Sequence, residues 1–222
     1  MTFPHFRAVA DRAVLVEFGS VIAPQIHAQV VRLDRLLSLT PPLGLVEVTP
    51  AYANLMISFD PLITDHDAMI GAVQAVLSGP EPLQTQPRLH DIPVCYDADL
   101  GTDLAQVAQM KGMSTEAVIA AHLGAEYRVY LYGFAPGYAY LAGTPEALHL
   151  PRKPAAVRDI PAGRVIIAGP QCIVTTLKMP TGWWIIGSSP AKILREGPEP
   201  FLFAVGDSVR FHRIARAVHD AV

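Results

Sequence analysis

Apolar positions in the first eighty residues switch regularly between two periods. Residues 13–18 run Ala-Val-Leu-Val-Glu-Phe between Asp11-Arg12 and Gly19-Ser20, which predicts a strand. From Pro24 onward, Ile26, Val30, Leu33, Leu36 and Leu37 recur at helical spacing, with Gln29, Arg32 and Asp34 between them. Thr40-Pro-Pro-Leu-Gly44 ends that helix. Residues 45–49 and 54–59 return to strand-sized runs, joined by a turn at 50–53, and predict a hairpin. Asp60-Pro61 is a stop, and Thr64 or Asp65 caps a helix over 66–77 carrying Met69, Ile70, Val73, Val76 and Leu77. The order is β-α-β-β-α. A strand at 88–96 would complete the ferredoxin-like pattern of a split βαβ.

Residues 78–87 hold three prolines and a glycine without apolar periodicity, which is linker composition. A boundary there separates domains at 1–84 and 85–222. The second segment starts with a strand at 89–96 and a turn at 97–102. Helices follow at 103–111, closed by Gly112, and at 114–123, capped by Ser114. Beyond them the pattern is strand and turn, with strands at 127–132, 164–168, 172–177, 183–187 and 209–214. Many short strands with Gly/Pro turns predict a barrel or sandwich.

Composition narrows the class. Hydrophobic residues make up 51% of the 222 positions and charged residues 17%, as in a core-rich globular protein. A net charge of −3 argues against a nucleic-acid or anionic-membrane partner. Arg210, Arg213 and Arg216 read as a solvated face. Cys95 and Cys172 lack CxxC spacing, and the eight histidines form no HxH or HExxH, so no zinc site is expected. Residues 1–7 lack the basic and apolar regions of a signal peptide, and no apolar run reaches membrane-spanning length. The expectation is a soluble, cytoplasmic protein with reduced thiols.

The densest chemistry lies in Gly133-Phe-Ala-Pro-Gly-Tyr-Ala-Tyr-Leu141 and two later stretches, Pro151-Arg152 through Arg158-Asp-Ile-Pro-Ala-Gly163, and Met179-Pro-Thr-Gly-Trp-Trp-Ile-Ile-Gly187. Gly and Pro there shape turns that carry rings and cations, as in a pocket for a small anionic or amide ligand. Together with Asp11 to Gly19, Glu47-Val-Thr-Pro-Ala-Tyr52, Ile92-Pro-Val-Cys-Tyr-Asp97 and Gly206-Asp207, this ordered set resembles the carboxyltransferase-domain family of C- and D-like subunits, once called allophanate hydrolase subunit 1. That family includes the B component of the three-component 5-oxoprolinase and the histidine-kinase inhibitor KipI. The resemblance implies an α+β protein with an N-terminal ferredoxin-like α/β domain and a C-terminal cyclophilin-like β-barrel. It also implies a sister subunit with a related barrel, a third lactam-utilisation subunit, and ATP used to open a small cyclic amide, 5-oxoproline, to glutamate. A KipI-like, non-enzymatic kinase inhibitor is the alternative. The chain departs from the family at Pro180-Thr-Gly-Trp183, where Pro-Gly-Gly-Trp is usual, and at Gly187-Ser-Ser-Pro190, where Gly-Arg-Thr-Pro is usual. A Tyr-Pro pair that commonly follows Gln171 is replaced within Ile173-Val-Thr-Thr176. These changes bear on ligand choice.

Candidate site residues follow. Arg152 and Arg158 stand beside proline-rich turns and offer planar forks for carboxylate or phosphate; the plain alternative is a surface bridge to Asp159 or Glu146. His122, near a helix C-terminus, is the acid–base candidate, or else a histidine capping carbonyls. Gln171 can read a lactam's N–H and C=O together. Among Phe134, Tyr138, Tyr140, Trp183 and Trp184, most belong to the core, with Tyr138 and Trp183 the candidates for a pocket mouth. There is no P-loop, no GxGxxG, and no GxSxG around Ser188 or Ser189.

Overall fold

The structure, a computed structural model, describes residues 3–80 and 87–221, and the chain separates into two compact units, 1–86 and 87–222. The expected boundary at 84/85 and most of the linker lie outside the described residues.

The first unit runs β1 (His5–Val9), β2 (Ala13–Glu17), α1 (Pro24–Leu39), β3 (Leu45–Pro50), β4 (Asn54–Phe59) and α2 (His66–Leu77). Its sheet order is β1-β2-β4-β3, with every neighbour antiparallel. β2 and β3 both run against β4, so they are parallel to each other with β4 inserted between them. That is a split βαβ built on α1. Pro24 opens α1, where a missing N–H costs nothing. Asp65 caps α2 by accepting from the Ala68 N–H at 2.8 Å. Val30, Leu33 and Leu37 of α1 and Met69 and Val73 of α2 pack on Val14, Val16, Leu55 and Ile57.

The strand expected at 88–96 is not in this sheet. The edge beside β2 is taken by β1, paired in register from His5↔Glu17 to Val9↔Ala13. A strand adjacent in sequence needs only a short loop to close, so it reaches that edge at smaller entropic cost than one beyond the linker.

The second unit contains β5 (Leu89–Val94), α3 (Leu104–Lys111), α4 (Thr115–Leu123), β6 (Tyr127–Tyr132), β7 (Ala139–Ala142), a 3-10 turn at Glu146–Leu148, β8 (Val157–Ile160), β9 (Arg164–Ala168), β10 (Gln171–Val174), β11 (Met179–Thr181), β12 (Trp184–Ser188), β13 (Ser208–Arg213) and α5 (Arg216–His219). Seven strands form one sheet in the order β12-β9-β10-β7-β6-β13-β5. Its two edges meet where Cys95, just past β5, exchanges backbone bonds of 2.8 and 2.9 Å with Ser188 of β12. The sheet is therefore nearly closed into a barrel. β13 and β5 are parallel; the other pairs of this sheet are antiparallel.

Strands on one flank of this barrel are apolar on both faces. Val165 and Ile167 of β9, Cys172 and Val174 of β10, and Trp184 and Ile186 of β12 fill the interior with Tyr127, Leu141 and Phe211. The intervening Ile166, Ala168, Ile173 and Ile185 point outward into a second cluster with Tyr138 and Trp183. The separate β8–β11 pair covers that cluster with Ile160 and Met179. Gly143 follows β7 at φ +125°, and a Cβ there would collide with the Glu126 carbonyl oxygen. No described helix is long and apolar enough to cross a membrane.

Candidate ligand pocket

On the outer face of the barrel a cavity of about 370 Å³ lies between two walls. One is His149, Leu150, Pro151 and Arg152; the other is Ala168, Gly169, Pro170 and Gln171 at the β9–β10 turn. The Gly169 N–H donates to the Leu150 carbonyl at 2.8 Å and ties the walls together. Arg152 is exposed, and its guanidinium rests over the Trp183 ring 5.7 Å from the centroid. Trp183 is buried and meets Tyr140 edge-on at 5.9 Å. A cation held on an indole face loses part of its freedom before any ligand arrives. Thr181, at the position that departs from the family pattern, accepts the Trp183 N–H through its hydroxyl at 3.1 Å and fixes the platform's backbone.

Three of the expected site residues thus come together: Arg152, Gln171 and Trp183. The others do not. Tyr138 is buried in the outer cluster, edge-on to Phe134 at 5.5 Å, and does not line the cavity. Arg158 is exposed on β8, away from the lining; its neighbour Asp159 pairs with Lys178 at 3.1 Å. His122 is fully buried inside the barrel. Its Nδ1 meets the Tyr96 hydroxyl at 2.7 Å, its Nε2 lies 3.7 Å from Cys172 Sγ, and its ring stacks on Phe211 at 4.6 Å. Loss of hydration pushes its pKa down to about 3, so it is neutral at physiological pH. Cys172 and Gln171 are successive residues of β10 and face opposite sides of the strand, which puts His122 and the cavity on opposite faces of the sheet.

Two clusters escaped sequence reasoning. Lys153 Nζ and Asp103 Oδ2 form an ion pair at 2.5 Å with side chains only 9% and 14% exposed. They lie far apart in the chain with no shared motif, so no local signal marks them. The second cluster surrounds the departing Gly187-Ser-Ser-Pro190 segment. Ser188 Oγ is 3.1 Å from His219 Nε2, and His219 Nδ1 is 3.0 Å from Asp220 Oδ1. This has the outline of a serine-hydrolase relay. However, Ser188 is buried, and the Ser188 and Ser189 N–H groups are spent on the Cys95 and Gly163 carbonyls at 2.9 and 2.7 Å. Neither N–H is therefore available as an oxyanion donor. Among the described residues no group of three or more His, Cys, Asp or Glu is placed to hold a metal ion.

The second unit is thus a nearly closed barrel with a pocket on its outer face, and the first carries a split βαβ. The chain belongs to the family described as carboxyltransferase domain, subdomain C and D, which it matches over residues 4–203. It is 33% identical over 226 residues to the 5-oxoprolinase B subunit of Bacillus subtilis (strain 168), covering 96% of this chain and 94% of the relative. It is 35% identical over 205 residues to the 5-oxoprolinase B subunit of Escherichia coli O157:H7, covering 91% and 93%. The crystal structure of TTHA0988 superposes with a TM-score of 0.82 at 35% identity over 92% of this chain, and the chain spans 40% of that larger polypeptide.

Proposed function

We propose that this chain is a B-type subunit of an ATP-dependent 5-oxoprolinase and that the Arg152–Gln171 pocket takes the lactam. The observation that carries the reading is the convergence of Arg152 and Gln171 on one cavity, with the guanidinium held on Trp183. The curated relatives supply the chemistry to test. 5-Oxoproline presents a carboxylate, which suits the guanidinium fork, and a lactam amide, which suits the donor and acceptor of Gln171. The cavity falls within the usual size range for small-molecule sites. The unit names expected from the resemblance, ferredoxin-like for the first and cyclophilin-like for the second, are proposed on the same footing, as is a cytoplasmic location.

ATP does not fit this pocket as its lining stands. Arg152 is the one guanidinium or ammonium among the lining residues, and no Gly-rich phosphate loop accompanies it. A triphosphate calls for several cations or N–H donors. Nucleotide binding is therefore proposed for a sister subunit, and ring opening is completed by a third, lactam-utilisation subunit.

The test is reconstitution with both candidate partners and measurement of 5-oxoproline-dependent ADP release. Absence of turnover in every pairing overturns the reading. In the active complex, Arg152→Ala should raise KM for 5-oxoproline by roughly 10- to 100-fold, as expected for loss of a charge-assisted hydrogen bond. The melting temperature should barely change, because the side chain is exposed.

A second reading, a KipI-like kinase inhibitor, rests on the exposed apolar side chains Phe134, Leu177 and Phe201, with Phe134 68% accessible at φ +69°. Saturable binding of the isolated chain to a histidine kinase, lost on Phe134→Ser, would favour it.

A further inference from the structure

We propose that Lys153 and Asp103 are positioning residues for the pocket and act through Arg152; this rests on the reading that Arg152 meets the ligand's carboxylate. The first sign is a helix cap left unmade. Asp103 occupies the N-cap of α3, yet its side chain makes no capping bond. Its Oδ2 instead accepts the Ile185 N–H at 2.7 Å and the Lys153 ammonium at 2.5 Å. An aspartate in that position usually stabilises its helix directly, and a buried ion pair is a weak source of net stability. Stability alone is therefore a poor account of this arrangement.

The geometry supplies a better one. Lys153 Nζ also stands over the Trp184 ring at 5.4 Å. The Lys153 N–H donates to the Gly182 carbonyl at 2.7 Å, and the Trp184 indole N–H donates to the Pro151 carbonyl at 2.8 Å. Each chain neighbour of Arg152 is thereby hydrogen-bonded to one chain neighbour of Trp183. The guanidinium and its aromatic platform are held as one body, and the Lys153–Asp103 pair anchors that body to the start of α3. Lys153 does not line the cavity. Its contribution is to order Arg152 before binding, which lowers the ligand's entropic cost.

The experiment is a double-mutant cycle on the reconstituted complex, with 5-oxoproline as the probe and KM, kcat and melting temperature as readouts. Lys153→Met should raise KM about 5- to 10-fold with kcat within about twofold, and in an Arg152→Ala background it should change KM by less than about twofold. Lys153→Arg keeps the charge and should recover most of the loss. An equal KM effect in both backgrounds overturns the proposal, as does a fall in melting temperature and kcat with KM unchanged. If Arg152→Ala itself leaves KM unchanged, the pocket reading fails first, a result distinct from non-coupling of an effective Arg152. Should Lys153→Met fail to fold, Lys153→Met/Asp103→Leu removes both charges together and takes its place in the cycle.

Discussion

Gly143→Ala should be among the most destabilising single substitutions in the second unit. Two penalties coincide at this residue. A φ of +125° is open to glycine and strained for any residue with a Cβ. The added methyl would also collide with the Glu126 oxygen and stand 3.1 Å from the Tyr127 Cα, both backbone atoms at the entrance to β6. That strand cannot retreat without breaking its pairing with β7, where Arg128 opposes Ala142. Strain and displacement together should cost roughly 4 kcal/mol or more, out of a stability of about 5–15 kcal/mol typical of a domain. Gly112→Ala is the control: φ is +64° at the end of α3, with nothing within 4 Å of the new methyl. It should cost about 1–2 kcal/mol. Urea unfolding of both variants decides the matter, and similar midpoints would sink the prediction.

Acid should weaken the second unit through His122. Its ordinary pKa is 6.5, and burial in the barrel pushes the folded value down to about 3. Between those values the unfolded chain binds a proton that the native ring refuses. The stabilisation is fully present above pH 6.5 and declines as pH falls towards 3. Two pH units below the unfolded value the loss should be roughly 3 kcal/mol from this group alone. His122→Gln removes the titration while keeping an amide near the Tyr96 hydroxyl. The variant should start less stable but lose about 2–3 kcal/mol less than the wild type between about pH 7.5 and 4.5. Parallel stability–pH curves for the two proteins would contradict the assignment.

Helices were legible because their ends carry local chemistry. Pro24, Asp65, Gly112 and Ser114 mark starts and stops that the structure places within a residue or so of expectation. Strands were harder. β1 lies at a sheet edge with half-exposed side chains and shows no run long enough to stand out. Three of the four residues of β7 fall inside the Gly133-to-Leu141 stretch, where turn residues mask its alternation. On β9 and β12 both faces are buried, so alternation says nothing about which residues line the interior and which the outer cluster.

The same limit governs the site. Arg152, Gln171 and Trp183 were visible as residue types suited to an anion, an amide and a ring. That they share one face of the sheet while His122 occupies the other depends on the register of β10, which links Gln171 to Ala142 and Ala168. Sequence spacing does not fix that register. Lys153 was hidden because its partner Asp103 read only as the first residue of a helix, 50 positions away in the chain.

The parallel pairing of β5 with β13 has a consequence for synthesis. It joins the two ends of the unit, and the Arg88 N–H meets the Asp207 carboxylate 119 residues away. Contacts this distant make folding slow, because the whole intervening chain must be closed first. On a ribosome adding about 5–20 residues per second, β5 waits on the order of ten seconds for its partner. The first unit, built from near neighbours, has no such delay. The barrel strands, apolar on both faces along one flank, are the part of the nascent chain that a holding chaperone should protect until β13 emerges.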